Sequence, residues 1–316
     1  IKDPYDCDIN MRLNSYPSYD YGVKVVRLDD VAFSNDIIHK KIYQKGLRKT
    51  KYAIKNANGI IYQSEVAKNM CEGVLKISSN NYCIIHNGIN PSNKKLNKID
   101  LPKGKNFIHA CQKLFPQRRL DKLLKTWEIF IKDKKDAFLH IVHDKDEVYE
   151  SIDFDKYKNI MVHDIMQQEE LDNFLYSCDA SISIKYQDSC PNFIVESLAC
   201  GTPVITSNTN GYAEILSQPY LLIADIDPCF TYKKVQWERP PFTDKNRLIE
   251  QLDFIYNNEK LKFIFPEKIH INETAQNYIR FFESLLNKQK RPNPESFMRT
   301  WNTKIKNKLL SKFKLI

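Results

Sequence analysis

Glycine is scarce in this chain of 316 residues: it occurs eight times, about a third of the usual ~7 %. The glycines stand at positions 22, 46, 59, 73, 88, 104, 201 and 211. Neither a Gly-x-Gly-x-x-Gly fingerprint nor a Gly-x-x-x-x-Gly-Lys-[Ser/Thr] loop can be built from these positions. The sequence therefore excludes a Walker-type nucleoside triphosphatase and a standard dinucleotide-binding fingerprint.

Cysteine pairs, metal-ligand spacing and long apolar runs are missing as well. The eight cysteines include no Cys-x-x-Cys pair, and most lie in apolar runs, which favours small buried hydrophobes over a disulfide framework. The seven histidines are scattered, so we expect no metal, and we expect His109, His140 and His143 to be core or rim residues. No apolar run approaches the ~18 residues of a membrane span. With no signal peptide before Ile1, we expect a cytoplasmic setting and a fragment or processed product.

Charge is concentrated at one end of the chain. The net charge is +9, and residues 288–316 contain nine basic residues and one acid, Glu295, a balance of +8. Removing nine of the 48 basic and one of the 39 acidic residues leaves 39 against 38, so the body is about neutral. The body is therefore not a polyanion-binding surface by composition, and we expect no nucleic acid partner.

The body alternates short β-type runs with helical periodicity, which predicts an α/β fold with parallel sheets covered by helices. The first unit is expected to contain three strands, at 23–28, 59–63 and 82–86, with helices at roughly 37–57 and 65–75. The second unit is expected to contain five strands with helices between them, the strands at 106–111, 138–142, 159–162, 180–184 and 204–206. The second unit is predicted to be doubly wound, whereas the first, with three strands in about 90 residues, is short for such a fold and is either a reduced domain or one that begins part-way through its fold.

The polar, lysine-rich stretch 91–106 predicts a linker between the two units. We predict a partial first domain over residues 1–95, a second domain over 96–270, a helix over 271–287 and a basic tail over 288–316. Ligands of doubly wound sheets bind at the carboxyl ends of the strands. Chemistry is therefore expected in the loops after Cys111, Val142, Val162, Ile184 and Thr206.

Two carboxylates stand out in the loop that follows strand 180–184. Asp188 and Glu196 lie eight residues apart, Pro191 suits the first helical position, and Glu196 lies one turn into the helix. Such a turn would direct the free N–H groups of residues 192–194 at the crevice, as an anion site. An N-cap followed by an ordinary amphipathic helix explains the same residues equally well.

Two cations bracket the turn after Cys111. Lys113 and Arg118, with Arg119 beside them, lie between a strand and a helix at the carboxyl edge of the sheet. Such a pair suits a diphosphate, which offers several acceptor oxygens. A solvated basic loop is the alternative, and from these residues alone it is the favoured one.

Several segments fall in the order of a known family. The run DSCPNFIVESLACGTPVI, Asp188–Ile205, resembles the signature of retaining GT-B glycosyltransferases of the group-1, or family-four, type. Residues 109–123 resemble the diphosphate loop of that family, with a basic residue followed five positions later by another. Further segments match in the same order, namely 58–64, 84–89, 159–164, 169–171, 178–180 and 206–215. The resemblance covers about residues 20–216.

The resemblance implies a GT-B fold, in which two Rossmann-like doubly wound domains face a cleft, the first being incomplete here. It implies a hexosyltransferase-type enzyme that moves a sugar from a UDP or GDP sugar to a glycan, lipid or protein acceptor. Anomeric configuration would be retained, and neither a metal nor a cofactor would be needed.

The resemblance also assigns residues. Lys113 and Arg118 would bind the donor diphosphate. Glu196 would accept hydrogen bonds from the ribose hydroxyls, and Asp188 from hydroxyls of the transferred sugar. Asp188 and Glu196 are thus the catalytic candidates. The turn between them would complete the donor-binding set, mainly through backbone N–H groups, with Ser189, Pro191, Asn192 and Phe193.

The sequence departs from the family at defined places. Asp188 replaces the usual Glu, and Lys113 stands where Arg is usual. Cys111 and Asn210 occupy positions that are often small or Gly, and Asp29 stands where members often carry His. The glycine-rich loop of the family's first domain has no counterpart. A non-catalytic GT-B relic that acts as a binding or scaffolding protein is the main alternative, and a GT-B epimerase or phosphorylase is a third.

The tail carries an amphipathic pattern. On a helix, Trp301, Ile305, Leu309 and Phe313 would share one face, among lysines. This pattern is consistent with peripheral docking of residues 299–316 on an anionic membrane surface. A terminal helix packed on the body, or a disordered lysine-rich end, is the alternative.

Overall fold

A computed structural model describes residues 9–13, 22–29, 40–91, 96–112, 118–145, 152–225 and 244–288. These residues form ten strands and seven α-helices, and they divide into two compact units. The first unit comprises the described residues up to Asn90 and from Glu267 on, and the second those from Pro91 to Pro266. The sequence analysis placed the corresponding divisions after residues 95 and 270.

The first unit contains a parallel sheet of four strands in the order β1-β2-β3-β4. The strands are β1 Ile9–Leu13, β2 Val23–Leu28, β3 Gly59–Tyr62 and β4 Tyr82–Ile84, and the connecting helices are α1 Lys40–Asn56 and α2 Glu65–Leu75. The expectation of three strands was wrong because β1 was missed. In β1, polar residues interrupt the apolar ones and three of the five side chains are exposed, so the usual strand signal is absent.

Helix α7, Ile271–Lys288, covers one face of this sheet. Its apolar residues form one buried cluster with strand residues, and the members are Val23, Val25, Ile61, Ile85, Tyr278, Phe281, Phe282 and Leu285. The approach is closest at Gly59, where an added Cβ would lie 2.6 Å from Cδ1 of Leu285 and 2.9 Å from Cζ of Phe281. A side chain at the start of β3 would therefore force the ends of Leu285 and Phe281 to move.

We expect Gly59→Ala to lower the free energy of unfolding of the first unit by about 1–3 kcal/mol, as overpacking does. Chemical denaturation measures the loss. Leu285→Ala removes the side chain that the new methyl group would meet, so Gly59→Ala should cost less in a Leu285→Ala background than in the wild type. Additive losses would contradict the contact.

The second unit contains a parallel sheet of six strands in the order β10-β9-β8-β5-β6-β7. The strands are β5 Lys105–Ala110, β6 Ala137–Val142, β7 Ile160–His163, β8 Ala180–Ser183, β9 Val204–Ser207 and β10 Leu221–Asp225. The helices are α3 Leu120–Phe130, α4 Gln168–Ser177, α5 Asn192–Ala199 and α6 Lys245–Asn257. The expectation of five strands was wrong. The sixth, β10, is the apolar run Leu-Leu-Ile-Ala beyond the last strand that was predicted.

Helices cover both faces of this sheet. On one face, α3 and α6 pack on the strands through residues that include Trp127 and Leu252, and Phe107 and Ile141 belong to the same core. On the other face, Phe174 and Leu175 of α4 pack against a second cluster. The predicted α/β fold with parallel sheets is therefore confirmed. Among the described residues, no helix is long and apolar enough to cross a membrane.

His140 lies in β6 and is fully buried on the α4 face, beside Phe174. Its Nε2 lies 3.0 Å from Oδ1 of Asn106 and its Nδ1 lies 3.1 Å from Nε2 of His163. An amide oxygen only accepts, so Nε2 of His140 carries the proton and Nδ1 accepts from His163. The pKa of His140 is lowered to about 4, chiefly by burial and to a smaller extent by the neighbouring His163.

Because His140 stays neutral in the fold but takes up a proton near pH 6.5 when unfolded, the unfolded state binds more protons between pH 6.5 and about 4. Stability must therefore fall as the pH decreases through this range, by about 1.4 kcal/mol per pH unit for one such histidine. We expect His140→Gln to reduce this slope by about that amount, whatever it costs at pH 8. Denaturation curves at pH 8, 6 and 5 measure the slope. Parallel pH profiles for the two proteins would contradict the assignment.

Candidate active site

The loops after β8 and β9 are joined at the carboxyl edge of the second sheet. Asp188, in the loop after β8, forms a backbone bridge with Asn210, in the loop after β9. The N–H group of Gly211 donates to the Asp188 carbonyl oxygen at 3.3 Å. The position of Asp188 is therefore set by its neighbour strand as well as by its own loop.

The Asp188 side chain is buried and forms an ion pair. Its Oδ2 lies 2.9 Å from Nζ of Lys185, and both side chains are less than a fifth exposed. An ion pair shielded from water holds both groups in one orientation more firmly than a surface pair does. Sequence reasoning missed Lys185, because a pair three residues apart in a turn leaves no periodic signal.

Asn210 holds the turn against which Asp188 lies. Its Oδ1 accepts from the N–H groups of Tyr212 and Ala213, at 2.9 and 3.1 Å. Its Nδ2 donates to the Ser207 carbonyl oxygen and to Oγ1 of Thr206. Asn210 is 1 % exposed, so all four bonds are shielded from water. This position, where the family often has a small residue, supplies the bonds that shape the loop.

Helix α5 begins one residue later than the sequence analysis proposed. Pro191 is the N-cap and not the first helical residue, and α5 starts at Asn192. The N–H group of Ile194 donates to the Pro191 carbonyl oxygen at 3.1 Å. The expectation that residues 192–194 all offer free N–H groups is therefore wrong for Ile194, because the first turn closes on Pro191.

The remaining residues of the predicted turn differ in burial. Ser189 and Pro191 are buried, and Asn192 is exposed. The Phe193 ring packs into the core on the α4 face. A ligand at this turn would therefore meet the backbone of Phe193 and not its side chain.

Glu196 lies in the second turn of α5 and is half-buried. Burial raises the pKa of its carboxyl group, and the nearby Asp172 carboxylate on α4 raises it further. Asp172 in turn accepts from Nε2 of Gln168 at 2.9 Å. A carboxylate held in such surroundings gains from hydroxyl donors that a ligand brings.

The turn after β5 contributes cations. Lys113 lies outside the described residues, and so do residues 114–117. The Nε of Arg118 is shielded from solvent and has no hydrogen-bond partner among the described residues. Arg119 is fully buried, and its guanidinium group lies 4.7 Å from the centre of the Tyr186 ring. Of the two predicted diphosphate residues, the structure thus describes one, and it is poised for an acceptor.

Two of the predicted site elements converge around Cys111. Burial raises the pKa of its thiol, while the positive charges of Arg118 and Lys185 lower it. Both cations therefore lie within electrostatic range of one sulfur atom. The cationic turn after β5 and the Lys185–Asp188 ion pair after β8 occupy one region of the carboxyl edge. No group of three or more His, Cys, Asp or Glu residues placed to hold a metal ion is present in the described part of the chain.

The second unit is thus a doubly wound domain with a carboxylate turn, a helix N-terminus and cations at the carboxyl edge of its sheet, which is where ligands of such folds bind. Residues 91–225 match the family model described as Glycosyl transferases group 1. The second unit is therefore similar to the group 1 glycosyltransferases, and the resemblance stated from the sequence is confirmed. No curated protein sequence matches the chain.

Solved structures with the same fold are distant in sequence. A mutant of S. aureus TarM, in complex with fondaparinux, alpha-GlcNAc-glycerol and UDP, has 14 % identity and a TM-score of 0.60 over 84 % of this chain and 52 % of TarM. Sucrose-phosphate synthase from Thermosynechococcus elongatus has 13 % identity and a TM-score of 0.63, over 85 % of this chain and 69 % of the synthase. Anabaena HepE, in complex with UDP-glucose, has 13 % identity and a TM-score of 0.54, over 83 % of this chain and 72 % of HepE. The chain spans about half the length of TarM.

We expect Asn210→Ala to lower the free energy of unfolding by about 2–4 kcal/mol, because it leaves two amide N–H groups and two acceptors without their partner. The loop that positions Asp188 should loosen with it. Thermal or chemical unfolding measures the loss. Ser217→Ala, an exposed substitution in the following loop, is the control and should change stability by less than about 0.5 kcal/mol. Equal stabilities of the two variants would contradict the role of Asn210.

Proposed function

We propose that this chain is a retaining, metal-independent hexosyltransferase that uses a UDP or GDP sugar. The observation that carries the proposal is that the buried Lys185–Asp188 ion pair follows β8 and the shielded Arg118 turn follows β5, its neighbour in the sheet. This arrangement supports the proposal because a cation suits phosphate oxygens and a buried carboxylate suits the hydroxyl groups of a sugar. The family match over residues 91–225 supports the reading of this edge as the donor site.

In this proposal, each site residue binds a different part of the nucleotide sugar. Arg118, together with Lys113, neutralises the diphosphate, and the amides of the turn before α5 supply further donors to it. Glu196 accepts hydrogen bonds from the ribose, and Asp188 accepts them from hydroxyls of the transferred sugar.

The reaction breaks the bond between the anomeric carbon and the phosphate oxygen and forms a bond to the acceptor oxygen on the same face. The leaving phosphate takes the proton of the acceptor hydroxyl, so no protein base is required. Negative charge grows on the diphosphate as the bond breaks, and the cations of the site stabilise it more in the transition state than in the ground state. No cofactor enters this scheme.

The proposal leaves open the base of the donor nucleotide and the identity of the acceptor. TarM and HepE are described with UDP and with UDP-glucose, so UDP is the first nucleotide to try, with GDP second. A glycan, lipid or protein hydroxyl is the acceptor. Residues 299–316 lie outside the described residues, so peripheral docking of this segment on an anionic membrane near a cytoplasmic lipid acceptor stays a prediction.

We expect Glu196→Ala and Asp188→Ala each to reduce transfer or donor hydrolysis by about 10- to 150-fold, because each removes a charged acceptor of hydrogen bonds from the donor's hydroxyls, worth about 1.5–3 kcal/mol. Release of UDP or GDP from a panel of nucleotide sugars measures it. Glu169→Ala, an exposed acid on α4 of the same unit, is the matched control and should be fully active. Activity that survives Glu196→Ala undiminished would remove that residue from the site.

A second candidate is a non-catalytic GT-B relic that binds or scaffolds. The observation that favours it is Asp29, which stands where family members often carry His and is taken up in an ion pair with Nε of Arg27 at 2.7 Å. The first sheet also has four described strands against six in the second. If nucleotide sugars raise the melting temperature but are not turned over, the chain is a non-catalytic binding protein and not an enzyme.

A further inference from the structure

Two buried histidines at the carboxyl edge of the second sheet each keep one ring nitrogen without a partner among the described residues. They are His109, near the end of β5, and His143, directly after β6, and they are 3 % and 4 % exposed. In each ring the atom without a partner is Nε2. Native structures leave few buried polar atoms in this state, and each one costs about 1–3 kcal/mol.

In each ring, the hydrogen bond made by Nδ1 decides whether Nε2 is a donor or an acceptor. Nδ1 of His109 lies 2.9 Å from the Ile182 carbonyl oxygen, and Nδ1 of His143 lies 3.0 Å from the Asp144 carbonyl oxygen. A carbonyl oxygen only accepts, so Nδ1 carries the proton in both neutral rings. Each Nε2 is therefore a hydrogen-bond acceptor that lacks a donor. Phe154 stacks on the His143 ring at 5.7 Å and helps to hold its plane.

Both histidines lie on the same face of the sheet as Arg118 and α3. His109 is the register partner of Ile141 on β6, and His143 follows Ile141 by two residues. Side chains two residues apart on a strand share a face. Phe107 and Ile141 belong to the core that α3 covers, so this is the α3 face. Arg118 stands two residues before α3 begins.

Electrostatics place the three groups near one another. Burial is the main cause that lowers the pKa of His109 to about 4; the hydrogen bond to the Ile182 carbonyl oxygen opposes this shift, and Arg118 and His143 add smaller lowering contributions. His109 is therefore neutral at physiological pH and able to accept. Because the Nε of Arg118 is shielded and has no partner within the described residues, this corner presents two acceptors and one cationic donor.

The ligand that complements this set must bring anionic oxygens and N–H or O–H donors together. A nucleoside diphosphate does so, with phosphate oxygens for Arg118 and ribose hydroxyls or base N–H groups for the imidazoles. We propose that His109 and His143 form an acceptor pair that binds the nucleoside part of the donor, beside Arg118. This inference rests on the proposed function and adds two positioning residues to it.

The test is calorimetric titration of the full chain with UDP and GDP, and with inorganic pyrophosphate as a probe that has no nucleoside. His109→Asn and His143→Asn are the matched variants, because the amide N–H of Asn can replace Nδ1–H while Nε2 is lost. We expect each to weaken binding of the nucleoside diphosphate about 5- to 30-fold, the equivalent of one hydrogen bond. Pyrophosphate should bind at the wild-type level, however weak that level is. Arg118→Ala should weaken both.

His109→Gln tests the acceptor directly, since its Oε1 can occupy the place of Nε2. We expect it to restore most of the nucleotide affinity that His109→Asn loses, and melting curves of the unliganded variants show that each is folded. Wild-type affinity in both Asn variants, or a Gln variant no better than Asn, would overturn the acceptor pair while leaving the proposed function intact. Equal losses for nucleotide and pyrophosphate would also overturn it. A wild-type chain that binds neither UDP nor GDP would overturn the proposed function itself.

Discussion

The backbone tie between the loops after β8 and β9 is the constraint on which the rest of the site depends. Asp188 bridges Asn210, and Asn210 is held by four bonds of its own. Because these bonds are shielded from water, the loop has one geometry instead of an ensemble. Lys185 can then pair with Asp188 at fixed length, and the helix that carries Glu196 starts from a fixed point.

The same edge concentrates charge that a folded chain normally avoids. The Asp188 carboxylate, the Arg119 side chain and the Nε of Arg118 are all shielded from water in this unit. Desolvation disfavours such groups unless partners compensate, and Tyr186 supplies part of the compensation through its ring. A site built in this way is stabilised further by an anionic ligand, which is the behaviour expected of a diphosphate pocket.

How much of this was accessible from the sequence differs from element to element. Strands β5 to β9 carry apolar runs between turn residues, so their order, and with it the position of the Asp188 loop, could be predicted. Strand β1 could not, because two of its five residues are polar and its signal arises only from pairing with β2. The N-cap role of Pro191 and the Lys185 ion pair depend on backbone angles in one turn. The hydrogen-bond partner of His109 could not be predicted either, because it lies on a neighbouring strand and depends on how the strands pair.

The scarcity of glycine has a physical counterpart at the site. Four non-glycine residues among those described adopt positive φ, namely Lys76, Arg119, Asn159 and Gln187. Such a conformation costs about 1–2 kcal/mol and persists only where surrounding contacts determine it. Asn159 is held by its bonds to the Lys135 and Ala137 carbonyl oxygens. Arg119 and Gln187 instead flank the cationic turn and Asp188, so two of the four strained residues border the candidate donor site. The backbone on both sides of this candidate site is therefore held in place by surrounding contacts and not by the conformational freedom of glycine.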